Sequence, residues 1–458
     1  MPWPFRSMTD DRGRRETADT QKRSSPMHSL FRGGTVAAVA LGIVIAPVAG
    51  AAQQPVRSVT LEEAIRLALE RDPAAVAAEE AVATARANHL EARGALLPSV
   101  NLSSSYSNSS NQRFDQATGQ LVSESYAAQA QASYELFGGG RRLAQLRRTS
   151  AGLAAADAAY RAQRFQTILA TTEAYYNAVA AAELVRAAAQ RLERARQQLA
   201  FAQTRLEVGT ATRSDVLRAE LEVGRAELAL VEAEAGERNA RLRLGRQIGV
   251  QGEVEPAVVT LPEAAPPRPP LEELVAEAVS RSPSVLAAQA DRQEARAARL
   301  AAYTSYIPSV RATGGYDWFA YQFPPNERSW SLRITASVPL FNGFQREAAV
   351  ARAAASERIA EARARDAELA ARVAVEAAAR QIDAAERRVE IARRGIELAR
   401  EDLRVQEERY QIGNATILDL QASQVALAEA EIEWVNARQE LGIAVARLEA
   451  VLGRRLEP

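Results

Sequence analysis

The residue types that carry most enzyme chemistry are nearly missing from this chain. It has no cysteine, which removes disulfides, thiolate metal sites and a cysteine nucleophile. Its two histidines, His28 and His89, are too scattered for a metal cluster or a triad, and His89 lies within a helical pattern and reads as structural. No nucleophile motif or phosphate-binding loop stands in the sequence, so no enzyme, catalytic residue, cofactor or metal is expected. What recurs instead is a short polar constellation, Val208-Gly209-Thr210-Ala211-Thr212-Arg213-Ser214-Asp215, which returns as Ile412-Gly413-Asn414-Ala415-Thr416-Ile417-Leu418-Asp419. In both, a glycine suits the left-handed residue that ends a helix, and a threonine stands three residues ahead of a carboxylate. Hydroxyl and carboxylate at that spacing form a capping box that starts the next helix.

Such turns need long helices on either side. From Leu136-Phe137-Gly138-Gly139-Gly140 to Gly209 the chain has no proline, and at about 1.5 Å per residue this run makes a helix roughly 100 Å long. Leu340-Phe341-Asn342-Gly343 opens a second proline-free run of similar length that closes at Gly413. The whole chain is a tandem repeat. Leu61-Glu62-Glu63 returns as Leu271-Glu272-Glu273 and Pro98-Ser99-Val100 as Pro308-Ser309-Val310, at an offset of about 210 that falls to about 204 beyond the next segment. The predicted plan is a first repeat over 52–249, a proline-rich, ordered or extended linker over 250–270, a second repeat over 271–453 and a tail over 454–458. Each repeat holds a helix, a polar alternating segment, the long helix, the turn (208–215 and 412–419) and a further helix. The two shorter helices laid end to end nearly match the long one, which predicts antiparallel coiled-coil rods. Val185, Ala188, Leu192, Ala195, Leu199, Ala202 and Leu206 form one seam, continued after the turn by Leu217, Leu221, Gly224, Leu228 and Val231. In the second copy the seam is Val389, Ala392, Ile396, Ala399, Leu403, Gln406 and Tyr410.

The segments ahead of the long helices follow a period of two instead. Trp330, Leu332, Ile334, Ala336, Val338 and Leu340 alternate with Ser331, Arg333, Thr335 and Ser337, and Tyr126 to Leu136 does the same. Strands are expected at about 98–111 and 122–138, and at about 308–321 and 329–341, joined by loops over 112–121 and 322–328. Their apolar faces carry Tyr106, Tyr126, Tyr134, Tyr316, Trp318 and Trp330, and the helices are committed to coiled coils, so lipid is the expected cover. An open sheet edge is not tolerated in hydrocarbon, so four strands per chain must join strands of other copies. Two chains would close a bore filled by side chains, whereas three would enclose water, and the polar inward residues favour the larger.

The duplicated helix, strand, strand, helix, turn, helix order, the Leu-Phe-x-Gly lead-in and the paired turns resemble the outer-membrane efflux proteins, the TolC-like channel-tunnels, over about residues 60–453. The resemblance implies a mainly α fold with a transmembrane β-barrel: a homotrimer with a twelve-stranded barrel in the outer membrane, continued through the periplasm by an α-barrel. Its tip turns would dock to a periplasmic adaptor (membrane fusion) protein of an inner-membrane pump, through Val208, Gly209, Thr210, Thr212, Ile412, Gly413, Asn414 and Thr416. The same resemblance implies a passive exit duct for efflux or type I secretion, with a periplasmic coiled-coil scaffold as the alternative. Asp419 would then ring the tunnel mouth and attract cations, while Tyr410 and Asp215 would hold the tip closed. Ala415 stands where some members have arginine and Gln421-Ala422 where some place a second acid, so either the closed state is looser or Arg213 supplies the cation.

Ahead of the repeats, the apolar run Val36–Ala46, then Pro47 and Ala49-Gly50-Ala51, reads as a signal peptide within residues 1–51, with Met27 a candidate start and Arg32 its positive flank. Zero formal net charge offers no electrostatic reason for a nucleic-acid partner. Lys22 is the only lysine, so the basic side chains of the repeats are all arginine.

Overall fold

The structure, a computed structural model, describes residues 57–115, 119–257 and 260–456. The expected export signal and the Met27 start lie outside the described residues. In chain order the first repeat holds β1 (Arg57–Val59), α1 (Leu61–Arg71), α2 (Pro73–Gly94), β2 (Ser99–Asp115), β3 (Gln120–Phe137), α3 (Arg141–Glu207) and α4 (Arg213–Gln247). After β4 (Val254–Pro256), the second holds α5 (Leu271–Arg281), α6 (Pro283–Tyr303), β5 (Ser309–Ala320), β6 (Glu327–Ser337), α7 (Gln345–Gln411) and α8 (Ile417–Leu452).

The short helices α1 and α5 are absent from the sequence-based plan. Each is cut off by a proline at the first position of the next helix, which turns Asp72 or Ser282 out of helical conformation. The displaced residue caps the next helix: Asp72 Oδ1 accepts from the Ala74 and Ala75 N–H groups at 3.0 Å, and Ser282 Oγ from Val285 N–H at 3.3 Å.

Both long helices run 67 residues, about 100 Å at 1.5 Å per residue. Helix α3 is flanked by α4 along the half near the turns and by α2 along the other, and α7 by α8 and α6 in the same way. Because α8 and α6 also pack on α3, the helices form a wall in the order α4, α3, α8, α7 beside the turns and α2, α3, α6, α7 beside the strands. The core is densest where the pieces meet, with Ile382, Val375, Leu441 and Leu448 in one cluster and Tyr175, Leu244, Ile248 and Leu67 in the other. There the approach of α8 to α3 is close enough that a Cβ on Gly442 would lie 2.8 Å from the Tyr176 ring.

The linker over 250–270 is ordered by contacts with both repeats. Val254–Pro256 pairs in parallel with Arg57–Val59, tying the two repeats together. The Tyr175 hydroxyl donates to the carbonyls of Ala257 at 3.0 Å and Val59 at 3.3 Å, and Arg438, itself buried, donates to the Leu261 carbonyl at 2.6 Å. Buried Val254 and Leu261 anchor the stretch where proline forbids a helix.

The expected seam of α7 is buried at Val389, Ala392, Ile396, Leu403 and Tyr410, and that of α3 at Leu192, Ala195 and Ala202, with Leu206 left exposed. The face expected for α4 is not the one used. Leu217, Leu221, Leu228 and Val231 are each more than half exposed, whereas Val216, Ala219 and Ala226, with Val223 and Leu230, pack on α3. Small residues at those positions let the two helices approach, and the leucine stripe at the same heptad spacing is turned away from the chain's own core.

The strands form one antiparallel sheet in the order β2, β3, β5, β6, the hairpins meeting along β3 and β5. The first hairpin is longer than expected: the strands reach Asp115 and Gln120, past a register shift between Asn108 and Arg113. The second is shorter, β6 ending at Ser337 ahead of Pro339, which has no N–H to donate to the ladder. One face carries Val100, Leu102, Tyr106, Tyr126, Tyr316, Trp318, Trp330, Leu332 and Ile334, and its large side chains are mostly exposed. The opposite face is a polar hollow lined by Gln129, Gln131, Arg311, Thr313, Arg333 and Thr335. The outer edges of β2 and β6 have no partner strand among the described residues. No described helix is long and apolar enough to cross a membrane.

Candidate functional site

The two turns at the end of the helical wall have one construction. In the first, Gly209 takes φ 77°, and the N–H groups of Thr210 and Ala211 donate to the Arg205 carbonyl at 2.8 and 3.2 Å, closing α3. Thr212 then caps α4: its N–H and hydroxyl donate to Asp215 Oδ2 at 2.9 and 2.8 Å, and its hydroxyl accepts the Asp215 N–H at 3.3 Å. In the second turn Gly413 takes φ 80°, Asn414 N–H donates to the Arg409 carbonyl at 2.8 Å, and Thr416 and Asp419 repeat the capping box at 2.9, 2.7 and 3.2 Å. These bonds hold the exposed Asp419 carboxylate below its ordinary range, the Thr416 N–H contributing most and the Thr416 hydroxyl next.

What sticks out of these turns is apolar. Val208 and Ile412, at equivalent positions, are 67% and 72% exposed, with Gly209, Thr210, Gly413 and Asn414 exposed beside them. Arg213 is exposed, and no ion pair engages it among the described residues.

The contacts between the turns involve residues that sequence reasoning passed over. Arg205 Nη1 donates to the Tyr410 carbonyl at 2.7 Å, and the guanidinium lies 5.0 Å over the Tyr410 ring and 5.9 Å over that of Phe201. Phe201 and Tyr410 themselves stand 5.9 Å apart, centroid to centroid. Arg205 also braces its own turn, through Nη2 to the Thr210 carbonyl at 3.3 Å. Tyr410 is buried, its hydroxyl makes no hydrogen bond among the described residues, and burial pushes its pKa up. Asp215 is engaged by its own helix cap and does not bond the Tyr410 hydroxyl. Gln421 donates to the Arg218 carbonyl at 3.1 Å and joins α8 to α4. A signal for Arg205 does exist in the sequence: it and Arg409 are repeat-equivalent, each four residues ahead of its turn glycine. Arg409 donates to the Asn414 carbonyl of its own turn at 3.4 Å, and its charge also acts on Asp419.

The helical hairpin α7–α8 is packed by Ile396, Leu403, Tyr410, Ile417, Leu420 and Leu427, and the helical hairpin α3–α4 by Leu199, Ala202, Val216 and Ala219. The hairpin with larger apolar side chains is therefore the one that Arg205 grips. Among the described residues no group of His, Cys, Asp and Glu could hold a metal ion.

Residues 64–250 and 274–454 match the outer membrane efflux protein family. The chain is 31% identical over 293 residues to protein CyaE of Bordetella pertussis, a match covering 62% of this chain and 61% of that protein. Its fold is that of a membrane protein from Pseudomonas aeruginosa (TM-score 0.74, 21% identity, 87% of this chain and 91% of that one). The open state of the MtrE outer membrane channel of Neisseria gonorrhoeae is similarly related (TM-score 0.73, 23% identity, 87% and 89%). A duplicated helical wall ending in two capped turns, and a sheet with an exposed apolar face at its other end, are thus explained together: the chain belongs to the outer membrane efflux protein family.

Proposed function

We propose that this chain is one protomer of a homotrimeric, passive exit duct, set in the outer membrane and reaching into the periplasm. The observation that carries the reading is the pair of open flanks. The sheet ends in unpaired strands β2 and β6, and the helical wall beside the turns ends in α4 and α7. Both edge helices bear apolar residues that nothing among the described residues covers: Leu217, Leu221, Leu228 and Val231 on α4, Ile391 and Leu398 on α7. Two different open edges on one copy make a head-to-tail contact, which closes into a ring when the rotation permits. Three copies join four strands each into a barrel with the apolar face to lipid and the polar hollow to water.

The duct performs no chemistry. It lowers the barrier to crossing by offering hydroxyl and amide groups in place of hydrocarbon, and energy enters through partners. Val208 and Ile412 ring the periplasmic mouth as exposed apolar contacts for an adaptor protein of an inner-membrane pump. Detachment or rearrangement of the Arg205–Tyr410 contact on docking widens that mouth.

The natural chain lacks cysteine, so the ring can be tested by paired substitution. Leu228 and Leu398 lie at similar heights above the turns, counted along α4 from Arg213 and back along α7 from Gln411. Oxidation of Leu228→Cys/Leu398→Cys protein in an outer-membrane fraction is expected to give dimers and trimers on a non-reducing gel. A detergent-independent, soluble monomer without cross-links would overturn the reading.

A further inference from the structure

On the polar face of the sheet, positive charge gathers at one level. Arg311 faces Thr335 across the ladder and Arg333 faces Thr313, which sets the two exposed arginines one diagonal step apart in the same hollow. Arg311 comes within 3.9 Å of Glu135, but that buried carboxylate is already bonded by Arg141 and approached by Arg142 at 3.8 Å. Among the described residues Arg333 has no ion pair. The next acid on this face, Asp317, lies opposite Ser329, and at about 3.3 Å per residue it is about 13 Å along the strand from the level of Arg333. That exceeds the physiological screening length of about 8 Å. The charge is peculiar to the second copy, because the equivalent positions of the first are Asn101 and Gln129.

We infer that Arg311 and Arg333 form an anion-binding belt inside the barrel, acting on cargo that presents clustered oxyanions, phosphate or carboxylate. This rests on the exit-duct reading above. In a closed ring the pair recurs every fourth strand around one level, and guanidinium groups in a narrow aqueous bore concentrate multivalent anions. Their forked donors suit such groups. The carboxylates Asp215 and Asp419 sit at the far end of the helices, so the belt acts from the strand side.

The test is conductance of the full-length protein in planar bilayers, with inorganic tripolyphosphate or citrate added on the strand side. The wild type is expected to be blocked by both, tripolyphosphate the more strongly. Arg311→Gln/Arg333→Gln is expected to need about tenfold more of either for half-block. Asn101→Arg, which adds charge to the same face, is expected to need less. Block of the wild type by tripolyphosphate alone would restrict the belt to phosphates and overturn the carboxylate half. An unblocked wild type, or variants blocked like the wild type, would overturn the inference while leaving the duct intact. A protein that inserts but never conducts would overturn the duct reading and the belt with it.

Discussion

Arg205, near the end of α3, donates to the backbone carbonyl of Tyr410, near the end of α7, at 2.7 Å, while its guanidinium covers the Tyr410 ring at 5.0 Å. One side chain thus couples the two hairpins by charge-assisted hydrogen bonding and by cation–π attraction. Because its target is partly a main-chain carbonyl, the contact tolerates change at the Tyr410 hydroxyl better than change at Arg205.

Replacing Arg205 by alanine removes a charged hydrogen bond and a cation–π contact, together about 2 kcal/mol after allowance for partial exposure. That favours the open tip by a factor of about 30. Single-channel conductance of the reconstituted Arg205→Ala variant is expected to rise. Arg409→Ala, whose contacts lie within its own turn and do not reach the other hairpin, is the control and should open no more than the wild type. Equal conductance of all three would rule out the bridge as a closing element.

Asp419 caps a helix, and on the exit-duct reading proposed above it is also a fixed charge at the mouth, so the two roles separate by substitution. Its folded pKa is lowered, so its stabilising contribution is complete above the ordinary aspartate value of about 3.9 and is lost as pH falls through the lower folded value. Between pH 5 and 8 the cap is therefore constant. Asp419→Asn keeps an acceptor but removes charge, whereas Thr416→Ala keeps charge and costs about 1 kcal/mol of capping. A trivalent cation added on the tip side should block Asp419→Asn channels about tenfold less well and Thr416→Ala channels as well as wild type. Thr416→Ala should instead speed amide exchange at Asp419 and Leu420. Identical block in both variants means that the carboxylate only caps.

Glu407 has the opposite sign. Burial lifts its pKa above the usual carboxylate range, and Arg194, committed to Glu431 at 3.2 Å, opposes this only in part. A carboxylate with a raised folded pKa favours folding as pH falls through that value, and the gain is complete below the unfolded value of about 4.3. The melting temperature of the wild type, measured against Glu407→Gln, is thus expected to rise as pH falls from 7 to about 4. A difference that stays constant across this range would refute the assignment.

The repeat, the long helices, the capping boxes and the alternating strands were legible because each is written in local chemistry: proline absence, a hydroxyl before a carboxylate, a period of two. Repeat equivalence with Arg409 marks the position of Arg205 but not its role, because its partner lies in the other repeat and no spacing along the chain announces a contact between two turns. The short helices α1 and α5 were not legible, because Asp72 and Ser282 each end one helix and cap the next without any loop between them. The face of α4 was misassigned for a more instructive reason. Two stripes one residue apart share the heptad period, Val216, Ala219, Val223, Ala226 and Leu230 beside Leu217, Leu221, Gly224, Leu228 and Val231, and the more hydrophobic one is outside. Hydrophobicity marks where an apolar partner will be, without saying whether that partner is in the same chain.

That distinction gives paired substitutions with opposite expectations on neighbouring residues. Ala226 is fully buried against α3, where a charge has no partner, so Ala226→Glu should destabilise the hairpin itself by several kcal/mol and lower helical content. Leu228, two residues on, is 60% exposed in the single chain, so Leu228→Glu should leave its fold and helical content intact. If α4 meets α7 of another copy, the same change buries a carboxylate against Leu398 in each interface of the ring, and the detergent-solubilised protein should run as a monomer in size-exclusion chromatography with light scattering. A Leu228→Glu protein that remains trimeric would show that the stripe faces something other than a second copy, and the docking partner would then be the place to look for its cover.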